Sequence, residues 1–519
     1  MTAARATKYF WILVAVHLVV WTLARGLAQP NAPLDVVEMA YLGHEWQLGY
    51  ANHPPLAAWV TEAALVLGGG SLWLVYAASQ LAMIACLWAA WRLGRALMTP
   101  GAALLGALVL ECCLYYHFTT SEVNNNVALY PFWALAVLVF YWALETGRAG
   151  PWLAMGACLG VGALAKYSLA MLVVPMALFL ALHPRARRHL MTRGPYLAAG
   201  VAVAIVAPHL VWAARHQFPA LTWALDRTKD EDQAVSRLVH VASFLKDQLP
   251  AVLPMLAALV PVTGWHWRLR PLGADDRYRR DFLLAMALGP LAVQIVLALV
   301  LDLKLRSMYG SQLWTFTGVL VLFSLALRPE PWRWRRAAVA CIAVGVAMVV
   351  AAVFYDQAWP HVRGKPMAVH FPGRAAAVAI ADAWRRHTDR PLRIVAGEWA
   401  LAANVALYSR PRPSVYGGGP HAGHALFAPG NNPWTSDEAL WRDGGMILWN
   451  VDRQPPDIAR HFCERFPSLE VLEPISLRWQ TRAAVQPLRV GLAFVPPGSD
   501  ARPPATRAAT RRCEDIAGG

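Results

Sequence analysis

Apolar runs long enough to cross a bilayer recur along this chain, and they decide its fold class before any single residue is weighed. In hydrocarbon every backbone N–H and C=O must be bonded within the protein, so a succession of such runs folds as a bundle of helices. With about 20 mostly apolar residues needed per span, about eleven runs qualify. They lie at 8–25, 71–91, 101–117, 125–145, 151–165, 167–183, 195–214, 247–264, 282–301, 308–327 and 337–355. Only 15% of the 519 residues are charged, against about 25% in a soluble globular chain. The expected class is a polytopic α-helical membrane protein. The first run, Tyr9–Leu23, lacks a small-residue cleavage site and reads as a retained span.

The basic residues give this bundle a direction. Lys and Arg collect on the cytoplasmic side of a membrane. Arg5 and Lys8 precede span one; Arg92 and Arg95 follow span two; Arg148 follows span four. Arg185, Arg187, Arg188 and Arg193 follow span six, Arg268 to Arg280 span eight, and Arg328 to Arg336 span ten. All are even-numbered junctions. The amino terminus is then cytoplasmic. The 26–54 loop, the residues around 118–124, the 215–246 loop, the 302–307 turn and everything after about 356 lie outside. A net charge of +15 distributed in this way is a topology signal, and it excludes a nucleic-acid groove.

The transmembrane part is therefore 1–355, with an outer first loop at 26–70. Beyond 356, Gly, Pro, Asp and Arg become common. Short apolar runs at Leu392–Ala396, Pro413–Tyr416, Met446–Trp449 and Leu488–Val495, with a helix at Glu398–Leu407, predict a soluble α/β domain over 356–495. The tail 496–519 is rich in Pro, Ala and Arg and is expected to be disordered. Cys86, Cys112, Cys113, Cys158 and Cys341 fall in apolar runs and read as small buried hydrophobes. Cys463 and Cys513 lie outside, where pairing is open to them.

Residues 30–56, PNAPLDVVEMAYLGHEWQLGYANHPPL, carry the densest chemistry. Asp35, Glu38 and Leu42 recur at helical spacing and predict a short helix over 35–47. Asp35 and Glu38 then share a face, where two carboxylates can act as general base or hold a divalent cation. The plain alternative for Asp35 is a helix cap. His53 precedes Pro54–Pro55, which fix it in extended backbone; it can donate to a phosphate oxygen or stand as a surface histidine. His44 and Glu45 read as solvated. Pro55–Leu67, with Glu62 on an otherwise apolar surface, predicts an amphipathic helix in the interface.

Other candidates stand at outer junctions. Lys166, with Tyr167 beside it, separates two apolar runs on the side where positive charge is disfavoured; snorkelling is the ordinary alternative. Lys304 and Arg306 also run against the topology bias and suit a phosphodiester, with ordinary lipid headgroups as the alternative. Asn124, Asn125 and Asn126 open span four, where capping explains one of them. His209, after Pro208, and His17, in span one, read as structural, with His209 kept among the substrate-side candidates. Carboxylates from the first loop and cations from later junctions suit a substrate with both a phosphate and a hydroxyl to be deprotonated. A lipid-phosphate-linked sugar and its acceptor are such a pair.

The stretch LDVVEMAYLGHEWQLGYANHPPLAAWV resembles the first-loop signature of the GT-C glycosyltransferases of family 39, the protein O-mannosyltransferase-like group. That group includes bacterial enzymes that add aminoarabinose or galacturonic acid to lipid A and lipopolysaccharide core. VNNNVALYPFW, ALAKYSLAMLVVP, PHLVWAARHQFPALTWA and LKLRSMYGSQLW are further similar segments, in the same order. The resemblance implies a GT-C fold, a polyprenyl-phosphate-sugar donor, inversion at the anomeric carbon and a periplasmic active site in the inner membrane. It implies that Asp35 is the essential loop acid, Glu38 its companion, and Lys166 a group near the donor phosphate. His53 stands where relatives often have Lys, and Asn124–Asn126 where many carry Asp; a neutral amide cannot act as a base. No cofactor is implied, although a divalent cation can be accommodated. The expected partners are the lipid-linked sugar, a glycolipid or lipopolysaccharide acceptor and membrane lipids, with no nucleic acid. A flippase without chemistry and a protein O-glycosyltransferase are the alternatives.

Overall fold

A computed structural model describes residues 1–120, 122–228, 237–265, 267–328, 330–417, 432–452, 462, 465–466 and 468–498. Cys463, Cys513 and nearly all of the tail from 496 lie outside the described residues. The chain divides into two compact units. One comprises Met1–Arg25, His53–Ala57 and Val75–Val353; the other comprises Gly26–Asn52, Ala58–Leu74 and Phe354–Gly519.

Among the described residues, seven helices are long and apolar enough to cross a membrane. They are Ala3–Ala28, Trp73–Leu97, Asn125–Thr146, Gly194–Arg215, Arg237–Thr263, Ala274–Leu301 and Pro331–Gln357. The last carries Val339, Ile342, Val346 and Val350 exposed at helical spacing, an apolar stripe suited to lipid. Seven of the eleven expected runs fall in these helices, and the other four are shorter or interrupted. Ala149–Ala165 and Ala170–Leu182 are helices of 17 and 13 residues. The run at 101–117 is a nine-residue helix, Pro100–Leu108, followed by 3-10 turns at Val109–Cys112 and Leu114–Tyr116. The run at 308–327 becomes α-helical only over Thr317–Ser324. The 215–246 loop is itself largely helical, with Pro219–Thr228 and the start of Arg237–Thr263 inside it.

The physical reason for the break near 308 is visible in its hydrogen bonds. Gln248 Nε2 donates to the Ser307 carbonyl at 3.0 Å, and Gln294 Nε2 to the Tyr309 carbonyl at 2.9 Å. Side-chain donors on two long helices thus satisfy backbone acceptors that a helix would otherwise have to satisfy. Irregular backbone among spanning helices persists only where protein supplies those partners.

Ala149–Ala165 and Gly194–Arg215 meet at a G-x-x-x-G pair, Gly156 and Gly160. A Cβ on Gly156 would lie 2.3 Å from the Ala198 carbonyl oxygen. Only a glycine lets the two backbones approach this closely, as at small-residue membrane interfaces.

The second unit contains a five-stranded sheet: β1 (Ile394–Gly397), β2 (Ser414–Tyr416), β3 (Gly445–Asn450), β4 (Glu470–Leu477) and β5 (Leu488–Val495). The strand order is β2-β1-β3-β5-β4. β1 is parallel to β2 and β3, while β5 is antiparallel to β3 and β4. Helix Trp399–Tyr408 connects β1 to β2. Ile394, Ala396, Tyr416, Ile447, Phe462 and Phe466 form its core. The first loop packs into the same unit. Asn31 Nδ2 donates to Asn404 Oδ1 at 3.0 Å, the Asn31 N–H to the Val369 carbonyl at 2.9 Å, and the Ala32 N–H to Tyr408 Oη at 3.0 Å.

Gly156→Val places a branched side chain against the Ala198 carbonyl. We expect a loss of about 1–3 kcal/mol from overpacking, read as a lower melting temperature of the purified protein in detergent. An unchanged melting temperature contradicts the close contact.

Candidate active site

The loop acids stand on helix Leu34–His44. Pro33 occupies the cap position, so Asp35 lies within the first turn and is not the capping residue; there its charge complements the helix dipole. Asp35 is half-buried and Glu38 is buried, three residues on. Asn52 Nδ2 donates to Glu38 Oε1, which turns the end of the loop back onto the helix. One turn further, burial first and the Glu38 charge second push the Tyr41 hydroxyl well above its ordinary value. Tyr41 therefore stays a neutral phenol beside the carboxylate.

Glu62 is where the structure departs most from the interfacial-helix expectation. It is buried, not turned to headgroups. Arg412 Nη1 donates to its Oε2 at 2.7 Å, and His44 Nδ1 lies 3.5 Å from its Oε1. Arg412 Nη2 also donates to the Ala40 carbonyl at 2.7 Å. Gly43 makes this approach feasible: a Cβ there would lie 2.2 Å from the Ala58 carbonyl oxygen. Burial pushes the Glu62 carboxyl up, but the His44 hydrogen bond and the Arg412 charge outweigh it and hold the group below the usual carboxylate range. His44 and Glu45, expected as solvated, are partly buried. Burial raises the Glu45 carboxyl.

In the helical unit, Lys166 ends helix Ala149–Ala165 in extended backbone, φ −163° and ψ 135°. Its Nζ donates to Asn126 Oδ1 at 2.5 Å and lies 5.1 Å from the Tyr309 ring centroid, within cation–π range. The three asparagines have separate tasks. Asn124 caps helix Asn125–Thr146, its Oδ1 accepting from the N–H groups of Asn126 and Val127. Asn125 Nδ2 donates to the Ala165 carbonyl at 2.9 Å, satisfying an end group of the helix that Lys166 terminates. Asn126 holds Lys166. Tyr167 Oη lies 2.8 Å from His209 Nε2, so the buried His209 has a polar partner. The His53 ring meets Trp223 edge to face at 5.3 Å. Lys304 and Arg306 are exposed on the segment that leads into Tyr309. Lys166 and that segment are thereby brought together, whereas Asp35 and Glu38 belong to the other unit.

Several residues of this arrangement carried no local signal. Arg412, between two prolines, pairs with a carboxylate 350 positions away. Tyr309 meets Lys166 from more than a hundred positions away, and Asn52 reaches Glu38 across the loop.

Residues 52–212 match the family model described as dolichyl-phosphate-mannose-protein mannosyltransferase. The matched stretch holds His53, Asn124–Asn126, Lys166, Tyr167 and His209. Lipopolysaccharide core galacturonosyltransferase RgtA of Rhizobium johnstonii is 24% identical over 292 residues, covering 55% of this chain and 56% of that protein. Lipid A galacturonosyltransferase RgtD of the same organism is 26% identical over 192 residues, covering 35% and 38%. The matched part is roughly half the length of these relatives or less. The crystal structure of ArnT from Cupriavidus metallidurans bound to undecaprenyl phosphate superposes with a TM-score of 0.62, at 15% identity, over 94% of this chain and 98% of that one. At that identity the likeness shows a shared fold: the chain folds as the ArnT structure does.

The Arg412–Glu62 pair generates a specific expectation. Arg412→Ala leaves a buried carboxylate with His44 as its remaining ion-pair partner, at a cost of about 3–5 kcal/mol. A carboxyl held below its unfolded value stabilises the fold above that value, and the contribution disappears as pH falls through the lowered one. The melting-temperature gap between wild type and Arg412→Ala should therefore be full at neutral pH and shrink below about pH 4. Melting curves across that range check this; a gap that widens in acid contradicts it.

Proposed function

We propose that this protein is an inner-membrane glycosyltransferase that moves a sugar from a polyprenyl-phosphate donor to a glycolipid or lipopolysaccharide acceptor on the periplasmic side. The observation that carries this reading is Lys166. Its ammonium is held between the Asn126 amide and the Tyr309 ring, at the end of a helix and beside the segment bearing Lys304 and Arg306. The amide fixes the ammonium without adding a charge of its own, an arrangement suited to a phosphate. The matched family and the named activities of the relatives support the same donor and acceptor classes.

In the proposed reaction the acceptor hydroxyl oxygen attacks the anomeric carbon from the face opposite the phosphate, inverting it. The bond from that carbon to the phosphate oxygen breaks, and its electron pair leaves with polyprenyl phosphate. Asp35 takes the hydroxyl proton as general base, with Glu38 beside it. Lys166, Lys304, Arg306 and His53 bind the phosphate and offset the charge that develops on it. Tyr167 and His209 contribute polar groups on the substrate side. No organic cofactor enters; Asp35 and Glu38 offer oxygen ligands should a divalent cation take part.

A deletion strain complemented with wild-type or variant genes tests this reading by mass spectrometry of its lipopolysaccharide and lipid A. Wild type should restore a mass increment of one sugar. Asp35→Asn should lower its formation by about 10²–10⁴-fold, the usual contribution of a general base, at unchanged membrane abundance. Lys166→Ala should also lower it strongly. Full activity of Asp35→Asn contradicts the base assignment, and a parent-like profile in the deletion strain contradicts the acceptor class.

A further inference from the structure

We propose that His17, Glu111 and His117 form a binding site for a divalent transition-metal ion inside the helical unit. None of the three takes part in the transfer chemistry proposed above. His17 lies in the middle of helix Ala3–Ala28, Glu111 in the turn Val109–Cys112, and His117 directly after the turn Leu114–Tyr116. All are buried, at 3%, 7% and 0% exposure. Glu111 Oε1 lies 2.9 Å from His17 Nδ1, and its Oε2 lies 2.8 Å from His117 Nε2. One ligand atom from each side chain falls within 4.8 Å of the others.

Donor accounting is what points to a cation. His117 Nδ1 lies 2.9 Å from the Cys113 carbonyl. A carbonyl only accepts, so Nδ1 carries the proton. In a neutral ring Nε2 is then a lone pair facing a carboxylate oxygen, which is also only an acceptor. Two acceptors at hydrogen-bond distance need a positive centre between them, either a further proton or a metal ion. The Nδ1–H to carbonyl bond is the arrangement that orients a metal-ligating histidine and sets its tautomer. His17 presents a second imidazole to the other carboxylate oxygen, and its Nε2 has no hydrogen-bond partner.

The donor set selects the metal class. Two imidazoles and a carboxylate suit zinc and its neighbours, whereas magnesium and calcium prefer oxygen alone. Opening each N···O separation by about 0.5 Å reaches the ligand spacing of tetrahedral zinc. Ionisable groups among spanning helices commonly mark ion sites.

The test uses the full-length protein in detergent, stripped with chelator and titrated with Co²⁺, whose ligand-field absorption reports coordination. One equivalent should bind and be displaced by Zn²⁺, and the bound ion should raise the melting temperature. Glu111→Gln and His117→Gln should weaken binding by about 100-fold or more, beyond the loss typical of outer-shell changes. His183→Gln, elsewhere in the same unit, should bind as wild type does. If either variant fails to fold, the wild-type titration decides alone. Absence of ligand-field bands in the wild type overturns the proposal in favour of a shared proton. Equal binding by the folded triad variants overturns it in favour of adventitious sites.

Discussion

Glu62 places two acceptor oxygens in a pocket that almost no water reaches, and a carboxylate there persists only when it is paired. Arg412 supplies the pairing charge, and His44 faces the second oxygen. The same guanidinium grips the Ala40 carbonyl on the helix that bears Asp35 and Glu38. One side chain from the C-terminal part thus ties both first-loop helices to the sheet-bearing unit. Gly43 keeps those helices close enough for that reach. The orientation of the two loop acids is in this sense a property of the C-terminal residues as much as of the loop.

The helical unit obeys the same rule. Three of its buried or half-buried polar groups are met by partners brought from elsewhere in the chain: Lys166 by Asn126, Asn125 by the Ala165 carbonyl, and Glu111 by two histidines. Where helices stop, side-chain amides take over the backbone bonds, as Gln248 and Gln294 do beside Tyr309. In this unit Lys166 and Tyr309 both stand at such breaks in regular structure. Helix ends expose backbone groups and bend the chain, and those are the places where a charged side chain can be held facing a substrate.

Much of this was legible in the sequence because local spacing decides it. The helix expected at 35–47 is found at Leu34–His44, the one at 55–67 at Leu56–Leu67, and the four apolar runs of the C-terminal part become β1, β2, β3 and β5. β4 escaped because EVLEPISL has no clean alternation and contains Pro474, which an edge strand tolerates. The runs at 101–117 and 308–327 look like spans by composition, but Glu111 and the Gln-bonded carbonyls break them. Long-range pairs stayed out of reach for a simple reason. Nothing near Glu62 announces Arg412, and nothing near His17 announces a carboxylate 94 positions on. Residue type flags such groups as costly to bury, but only the fold names their partners.

The central claim is that this protein breaks the bond between a sugar and a lipid phosphate. Purified protein incubated with a labelled polyprenyl-phosphate sugar and an acceptor glycolipid tests it most directly, with free polyprenyl phosphate and glycosylated acceptor measured together. The account predicts that the two appear in equal amounts and that neither forms without the protein. Movement of intact donor across a vesicle membrane, with no polyprenyl phosphate released, would contradict it and point to a flippase.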